Sequence, residues 1–294
     1  MKGISTDLAT TKKGLDKVIM RSAESITDYV SMLYKPENFS QLSKTSKVYS
    51  GLTEANTWDG ESIITPEGIE YLFDITAVHA LFSKAYSITY NQQIYDEYAF
   101  NPKVAQELGQ ALGERRQKNA ASLFNNGFST DLYADGVYFF SASHPNAASV
   151  GGVQSNLVTG GVSLTVLNNM VNLLLNLRSP LSRPVKYLPA EWLVHPTKVM
   201  LANQIVKSIR EYGTANNTRN QFDDFNIKVV GYPWFSSTTM HILRADKFET
   251  KVSKKVGFQT EWKELDDKSL KHQGWFGDAF WADDWRGWVG STGL

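Results

Sequence analysis

Residues Asn101 to Gly127 read NPKVAQELGQALGERRQKNAASLFNNG, and the stretch carries the punctuation of one long helix. Asn101 is a favoured N-cap residue, Pro102 suits the first helical position, and Asn125-Asn126-Gly127 supplies the stop. Between them Val104, Leu108, Ala111, Leu112 and Leu123 recur at helical spacing, which predicts one apolar stripe. Gln110, Glu114, Gln117 and Lys118 fall largely off it. At ~1.5 Å per residue such a helix would be roughly 40 Å long, about a domain diameter. Gly109 and Gly113 lower helix propensity, yet they share a face where a second backbone can approach closely. The C-terminal strands are the expected cover for that face.

Immediately downstream, Asp131 to Asn156 read DLYADGVYFFSASHPNAASVGGVQSN. A polar-faced helix ending in Asn-Asn-Gly is followed by Asp-Gly-x-Tyr-Phe-Phe, by His-Pro-Asn, and by a Gly-Gly loop closing on Ser-Asn. This order resembles the major capsid proteins of tailed bacteriophages, and within them the Mu-type major head subunit. The likeness rests on Asp135, Gly136, Tyr138, Phe139, Phe140, His144, Pro145, Gly151, Gly152, Ser155 and Asn156.

The resemblance implies an α+β, Hong Kong 97-like capsid fold. Its parts are an N-terminal arm, an extended β-hairpin (the E-loop), a peripheral or P-domain with a long spine helix, and an α/β axial or A-domain. In this chain the arm is expected at 1–47, the E-loop hairpin at 48–90 and the P-domain at 91–160, with its spine helix at 101–127. The A-domain is expected at 161–245 and the return β strands of the P-domain at 246–294.

The arm holds eight Lys/Arg against five Asp/Glu, so it is mildly basic. Leu15, Ile19, Ala23, Ile26, Val30 and Leu33 predict one amphipathic helix ending near Tyr34. Three acids, Asp16, Glu24 and Asp28, argue against a membrane-surface helix. Packing on the same chain or on a neighbouring copy is expected instead. From Val48 to Ser83 there is no Lys or Arg, while Glu54, Asp59, Glu61, Glu67, Glu70 and Asp74 are present. Asp59-Gly60 and Pro66 carry loop chemistry, and Ile69, Tyr71, Phe73 and Ile75 alternate as in a strand. Trp58 sits at the tip. A long acidic hairpin with an apolar tip buries little against its own chain, so its partner is expected on another. Glu54, Trp58, Asp59 and Glu61 are the expected contacts on the hairpin. Lys251, Lys254 and Lys255, with Lys247 and Lys263 nearby in sequence, form the expected basic receiver.

Beyond the Gly-Gly loop, Ser163 caps a helix bearing Leu164, Leu167, Val171, Leu174 and Leu177. A strand follows over Glu191–Val194, then a helix from Thr197 through Ile205 and Ile209 to Gly213. Thr214 to Asp224 is a polar loop, which the resemblance puts near a capsomer axis. Ile227–Val230 and Met240–Leu243 read as strands, and the alternation suits a compact α/β unit. Val252, Val256, Phe258, Thr260 and Trp262 predict a further strand, and the final twenty residues hold four of the eight tryptophans.

Composition narrows the function classes. Hydrophobic residues at 42% and charged residues at 20% predict a buried core rather than disorder. A net charge of +0 argues against a dedicated nucleic-acid binder, and the absence of Cys excludes disulfides and thiolate chemistry. No run is long and apolar enough to span a bilayer, and no signal-peptide core is evident near Met1. The five histidines include no i, i+4 pair, and no P-loop, GxGxxG or GxSxG occurs. His144 and His195 each precede Pro and read as turn formers, as does Asp135-Gly136. Asp278, Asp283 and Asp284 lack EF-hand spacing. The competing reading is a carbohydrate-binding or hydrolytic protein in which Trp275, Trp281, Trp285 and Trp288 stack on sugar.

The resemblance therefore implies a structural role, with no catalysis, cofactor or metal. Many copies would assemble as hexamers and pentamers into an icosahedral virion shell in the host cytoplasm, around weakly contacted double-stranded DNA. Portal, scaffolding and decoration proteins would be partners, and an encapsulin-like nanocompartment shell is the alternative within the fold. The type member cross-links an E-loop lysine to a neighbour's asparagine. Here the acidic segment has no lysine, so a shell without covalent cross-links is expected.

Overall fold

The computed structural model describes residues 3–95, 101–208 and 219–293. In chain order the first elements are α1 (Gly3–Glu24), α2 (Val30–Leu33), β1 (Lys35–Pro36), β2 (Ser43–Tyr49), β3 (Tyr71–Val78) and β4 (Ala80–Ile88). Next come α3 (Tyr90–Ile94), α4 (Asn101–Asn126), β5 (His144–Pro145), β6 (Val153–Gln154), α5 (Leu164–Leu175) and β7 (Pro189–Val194). The chain closes with α6 (Val199–Lys207), β8 (Lys228–Gly231), β9 (His241–Ala245), β10 (Glu249–Glu264), β11 (Leu270–Asp284) and β12 (Trp288–Ser291). Two compact units result, each assembled from separated stretches: Met1–Lys44, Ala77–Ala120 and Lys251–Trp281 in one, Thr45–Thr76, Ala121–Thr250 and Ala282–Leu294 in the other. These divisions cut across the contiguous segments expected from the sequence, because long elements such as α4 contribute to both units. Of the polar loop expected at Thr214 to Asp224, 214–218 lie outside the described residues, and Gln221–Phe225 form a short 3-10 helix rather than loop.

In the first unit a sheet of order β1-β10-β11-β4 carries α1 and α4 on one face. β4 runs antiparallel to β11, with Phe82 opposite Phe276 and Ile88 opposite Leu270. It was expected within the hairpin at 48–90, and the sheet claims it instead. Phe82 and Tyr86 alternate onto a core of Leu15, Ile19, Ala105, Leu108, Leu112 and Phe276, and this burial draws the strand in. His79, just before β4, fixes the crossing: its ring bonds the Gln41 carbonyl (3.0 Å) and Ser253 Oγ (2.9 Å).

The glycine face of α4 is covered, but by α1 rather than by the C-terminal strands. A Cβ at Gly109 would run into the Ile19 carbonyl oxygen and lie 2.8 Å from Ser22 Cβ, and one at Gly113 would lie 2.7 Å from the Ala23 carbonyl oxygen. Asp16 pins α1 further, accepting from Thr260 Oγ1 (2.9 Å), Trp262 Nε1 (3.2 Å) and His272 Nε2 (2.9 Å). The arm's helix thus packs on its own chain. It also breaks earlier than its stripe predicts, because Ser25 Oγ bonds back to the Ser22 carbonyl and Asp28 Oδ1 accepts from Val30 N to open α2. Gln117, expected off the apolar stripe, is buried and bonds Tyr29 N and Asp28 through its amide.

The second unit contains the β2–β3 hairpin and a sheet of order β12-β9-β7-β8, with only the β7–β8 pair parallel. Ser163 caps α5 as its sequence signals, accepting from Val166 N, and a short 3-10 turn at Pro196–Lys198 leads into α6. α6 ends sooner than expected, with Ser208 extended after Lys207; the expected continuation through Ile209 to Gly213 lies outside the described residues. Phe124 and Trp288 rings lie 4.6 Å apart in an aromatic core, beside Phe139 and Phe140. Gly290 makes room there: a Cβ would meet Phe140 and Phe128 ring carbons at 2.7–2.8 Å.

Candidate functional site

The hairpin is built at its root and bare at its tip. Ser50 N donates to the Glu70 carbonyl (2.9 Å), extending the β2–β3 pairing by one step. The Glu70 carboxylate then accepts from Ala148 N (2.8 Å), Ser149 N (3.3 Å) and Ser149 Oγ (2.9 Å). Those bonds, led by the Ser149 hydroxyl, hold its carboxyl below the usual range. Arg183 donates to the Leu52 carbonyl, and Glu67 accepts from Thr53 N and Oγ1. These bonds tie the root of the hairpin to the Ala148-Ser149 turn and to Arg183 within the second unit.

From Gly51 to Ile69 every residue is exposed, Ile63 at 94% and Trp58 at 56%. At the tip Asp59 Oδ1 accepts from Ser62 N (2.8 Å), Glu61 N (3.0 Å) and Ser62 Oγ (2.8 Å), while Gly60 takes φ +86°. Backbone donors from Ser62 and Glu61 pull the Asp59 carboxyl down to about 2. Trp58 Nε1 donates to the Ser62 carbonyl (2.7 Å) and leaves its ring outward. The structure thus gathers Trp58, Asp59 and Glu61 on one ordered turn, with Glu54 exposed on the ascending arm. The loop leaves Trp58, Ile63 and Ile64 side chains in water, apolar surface that the described chain itself does not cover.

The expected receiver is less open than the sequence implies. Glu37 ion-pairs with both Lys251 and Lys44, which lower its pKa, and Lys255 Nζ donates to the Ser40 carbonyl (2.6 Å). Lys254 has an exposed side chain, and its backbone donates to Asn38 Oδ1 (3.1 Å). Two of the three lysines are therefore held by their own arm.

A second constellation lies within the segment that carries the resemblance. His144 is fully buried, with Nδ1 2.6 Å from Asp135 Oδ2 and Nε2 3.1 Å from Asn156 Oδ1. Asn156 Nδ2 donates to the Phe139 carbonyl (2.9 Å), so its Oδ1 is the acceptor, from Ser141 N (2.8 Å) as well as from His144. Both ring nitrogens face acceptors, and the ring stacks on Trp285 at 3.9 Å. Asp135 Oδ1 also accepts from Val137 N in the turn expected at Asp135-Gly136. Sequence reasoning singles out Asp135, His144 and Asn156 individually but not their union. The arrangement ties three turns together and leaves no face for a substrate.

The terminal tryptophans do not form a platform. Trp281, Trp285 and Trp288 are 5%, 2% and 0% exposed and only Trp275 is half-buried, so the four rings present no shared open face to a sugar. The neighbouring acids are committed as well: Asp278 to Arg116 Nε (2.6 Å) and Asp284 to Arg286 (3.1 Å). Burial raises the Asp278 pKa while Arg116 opposes it.

The described residues thus combine an exposed hairpin with closely packed aromatic cores. The sequence matches the phage capsid protein family over residues 76–290, well over half of the chain. The chain belongs to that family. Among curated proteins, none matches this capsid protein by sequence. Solved structures share its fold: the capsid of cyanophage P-SCSP1u has a TM-score of 0.58 at 10% identity, covering 88% of this chain and 86% of that one. The capsid protein is similar to Mycobacterium phage Adephagia (0.57, 14% identity, 90% and 89% covered) and to the virus-like particle from Pyrococcus furiosus (0.56, 8%, 95% and 98%). At these identities the likeness is one of fold, and that fold is the expected Hong Kong 97-like one. This capsid protein is a structural subunit that self-assembles into a shell.

Proposed function

We propose that this chain is the major head subunit of a tailed phage, related most nearly to the Mu type, and that it forms hexamers and pentamers of an icosahedral virion shell around double-stranded DNA. The first compact unit corresponds to the P-domain, and the α5–β9 part of the second to the A-domain. Residues 50–70 correspond to the E-loop, which docks through Glu54, Trp58, Asp59 and Glu61 on a neighbouring copy; the strip of Lys251, Lys254 and Lys255 is one candidate receiver. Assembly takes place in the host cytoplasm with portal and scaffolding proteins, and decoration proteins reinforce the shell. Its role is structural rather than enzymatic.

The single observation that carries the reading is the ordered loop left entirely in water on a chain of the capsid family. Exposed ion pairs are each worth about 0–1 kcal/mol, so docking would gain its strength from many copies. Negative-stain microscopy tests it: native material should show closed icosahedral particles containing DNA. A chain lacking Glu54 to Ser62 should give folded subunits that assemble poorly. Normal shells from that deletion would refute the loop's role, and DNA-free particles filled with a cargo enzyme would favour a nanocompartment.

A further inference from the structure

We propose that the receiver for the loop is the open edge of β4 in a second copy, where residues Glu61–Thr65 add as an extra strand. The inference rests on the docking of the loop onto a neighbour and names the surface that takes it.

β4 is the last strand of its sheet, and no strand covers its outer side among the described residues. It is nine residues long, which at ~3.3 Å per residue makes an edge of about 30 Å. Such an edge presents unpaired backbone donors and acceptors and is a template for strand addition. Leu81, Ser83, Lys84, Ala85 and Ser87 along it are all exposed. By contrast β1, at the opposite side of the sheet, is only two residues and ends in Pro36.

The loop supplies a matching segment. Ser62-Ile63-Ile64-Thr65 lies between Gly60 and Pro66 and is rich in β-branched residues, yet none of Ile63, Ile64 and Thr65 is in a strand. Ile63 and Ile64 are 94% and 72% exposed. A strand-forming segment held in water on an anchored loop is half of a sheet.

Charge selects the pairing. Lys84 stands on the β4 edge, and with Phe82, Ala111, Leu112 and Arg115 it lines a groove between that strand and α4. The Arg115 guanidinium lies over the Phe82 ring at 4.8 Å, presenting its charge at the groove wall. A lysine on an open edge ordinarily wards off further strands. Against a segment carrying Glu61 and drawn from a stretch without Lys or Arg, it becomes an attraction, while neutral or basic strands stay disfavoured.

The chain has no Cys, so designed thiols report contacts without background. Particles of the full chain carrying Ile63→Cys with Ala85→Cys should, after mild oxidation, give a ladder of multimers on a non-reducing gel. The ladder should collapse to one subunit band with reductant. Because 63–63 and 85–85 disulfides could together also build a ladder, peptide mass mapping identifies the bond: a 63–85 disulfide is expected, and a ladder made only of 63–63 and 85–85 bonds would overturn the edge contact. As a second readout, Lys84→Glu should lower particle yield about tenfold, and Glu61→Lys in the same chain should restore it. A ladder from Ile63→Cys with Lys254→Cys but not with Ala85→Cys would overturn the edge and leave loop docking standing. No ladder from either pair, with assembly still lost on deleting Glu54 to Ser62, would overturn the edge likewise. If the deletion assembles normally, the docking reading falls first.

Discussion

Replacing Gly109 by Ala puts one methyl where α1 crosses α4, and the structure gives the sign of the outcome. The new Cβ would run into the Ile19 carbonyl oxygen and sit 2.8 Å from Ser22 Cβ. Carbon atoms pack at about 3.5–4.0 Å, so α1 must retreat by roughly 1 Å, and a gap of that size forfeits at least about a quarter of the contact energy between the helices. Leu15, Ile19, Leu108 and Leu112 bridge the seam, each burial worth about 1.5–3 kcal/mol, so the loss is about 2–3 kcal/mol. Ala regains about 1 kcal/mol of helix propensity, which leaves a net destabilisation of about 1–2 kcal/mol. Gly14 is the control: it lies in the same α1 with nothing within 4 Å of where a methyl would stand, so Gly14→Ala should stabilise by up to about 1 kcal/mol. Guanidinium denaturation of unassembled subunits, followed by the summed fluorescence of the eight tryptophans, reads both. If α1 peels away alone, amide exchange over Asp16–Glu24 should accelerate about 5- to 30-fold in Gly109→Ala. A Gly109→Ala subunit as stable as wild type, with unchanged exchange, would show that α1 does not seat on this face.

Other consequences can be checked directly. His144→Ala removes a ring stacked on Trp285 and strands Asp135 and Asn156 without their partner, so it should cost about 3–5 kcal/mol in chemical denaturation. Burial lowers the His241 pKa to about 4, and the neutral ring accepts from Trp192 Nε1 while donating to the Gly160 carbonyl. The unfolded chain binds that proton near pH 6.5, so stability should be full above pH 6.5, decline by about 3 kcal/mol toward pH 4, and then level off for this residue; a flat profile after His241→Gln, compared with wild type, is the check. Asp59, held near 2 by the tip turn, should keep that turn while pH falls through 3.8 and lose it only near 2; a carboxyl titration midpoint near 4 by NMR would refute the turn in solution. Boiled mature particles should run as a single band near 33.0 kDa, since residues 48–83 hold no lysine and the chain no Cys; a covalent ladder would reveal another cross-link.

Local signals make much of this protein legible from its sequence alone. The spine helix at Asn101–Asn126, the Ser163 cap, the strands at Glu191–Val194 and after Met240, and the acidic, lysine-free hairpin all follow from period, caps and charge over short stretches of chain. The sequence also marks Asp135, His144 and Asn156, and the order of elements points to a capsid subunit. What it leaves open are contacts between residues far apart in the chain. Whether α1 or a C-terminal strand covers Gly109 depends on which backbone reaches it, and Ile19 lies ninety positions away. β4 alternates well enough to serve in either the hairpin or the sheet; only burial of Phe82 against Phe276 decides between them. Lys251 and Lys255 look like an open basic patch until the arm's Glu37 and Ser40 are folded against them. Periodicity states that a residue has a buried side, but not what buries it. That choice is made by packing and by the pairing of buried polar groups over long sequence separations, and these are properties of the tertiary structure alone.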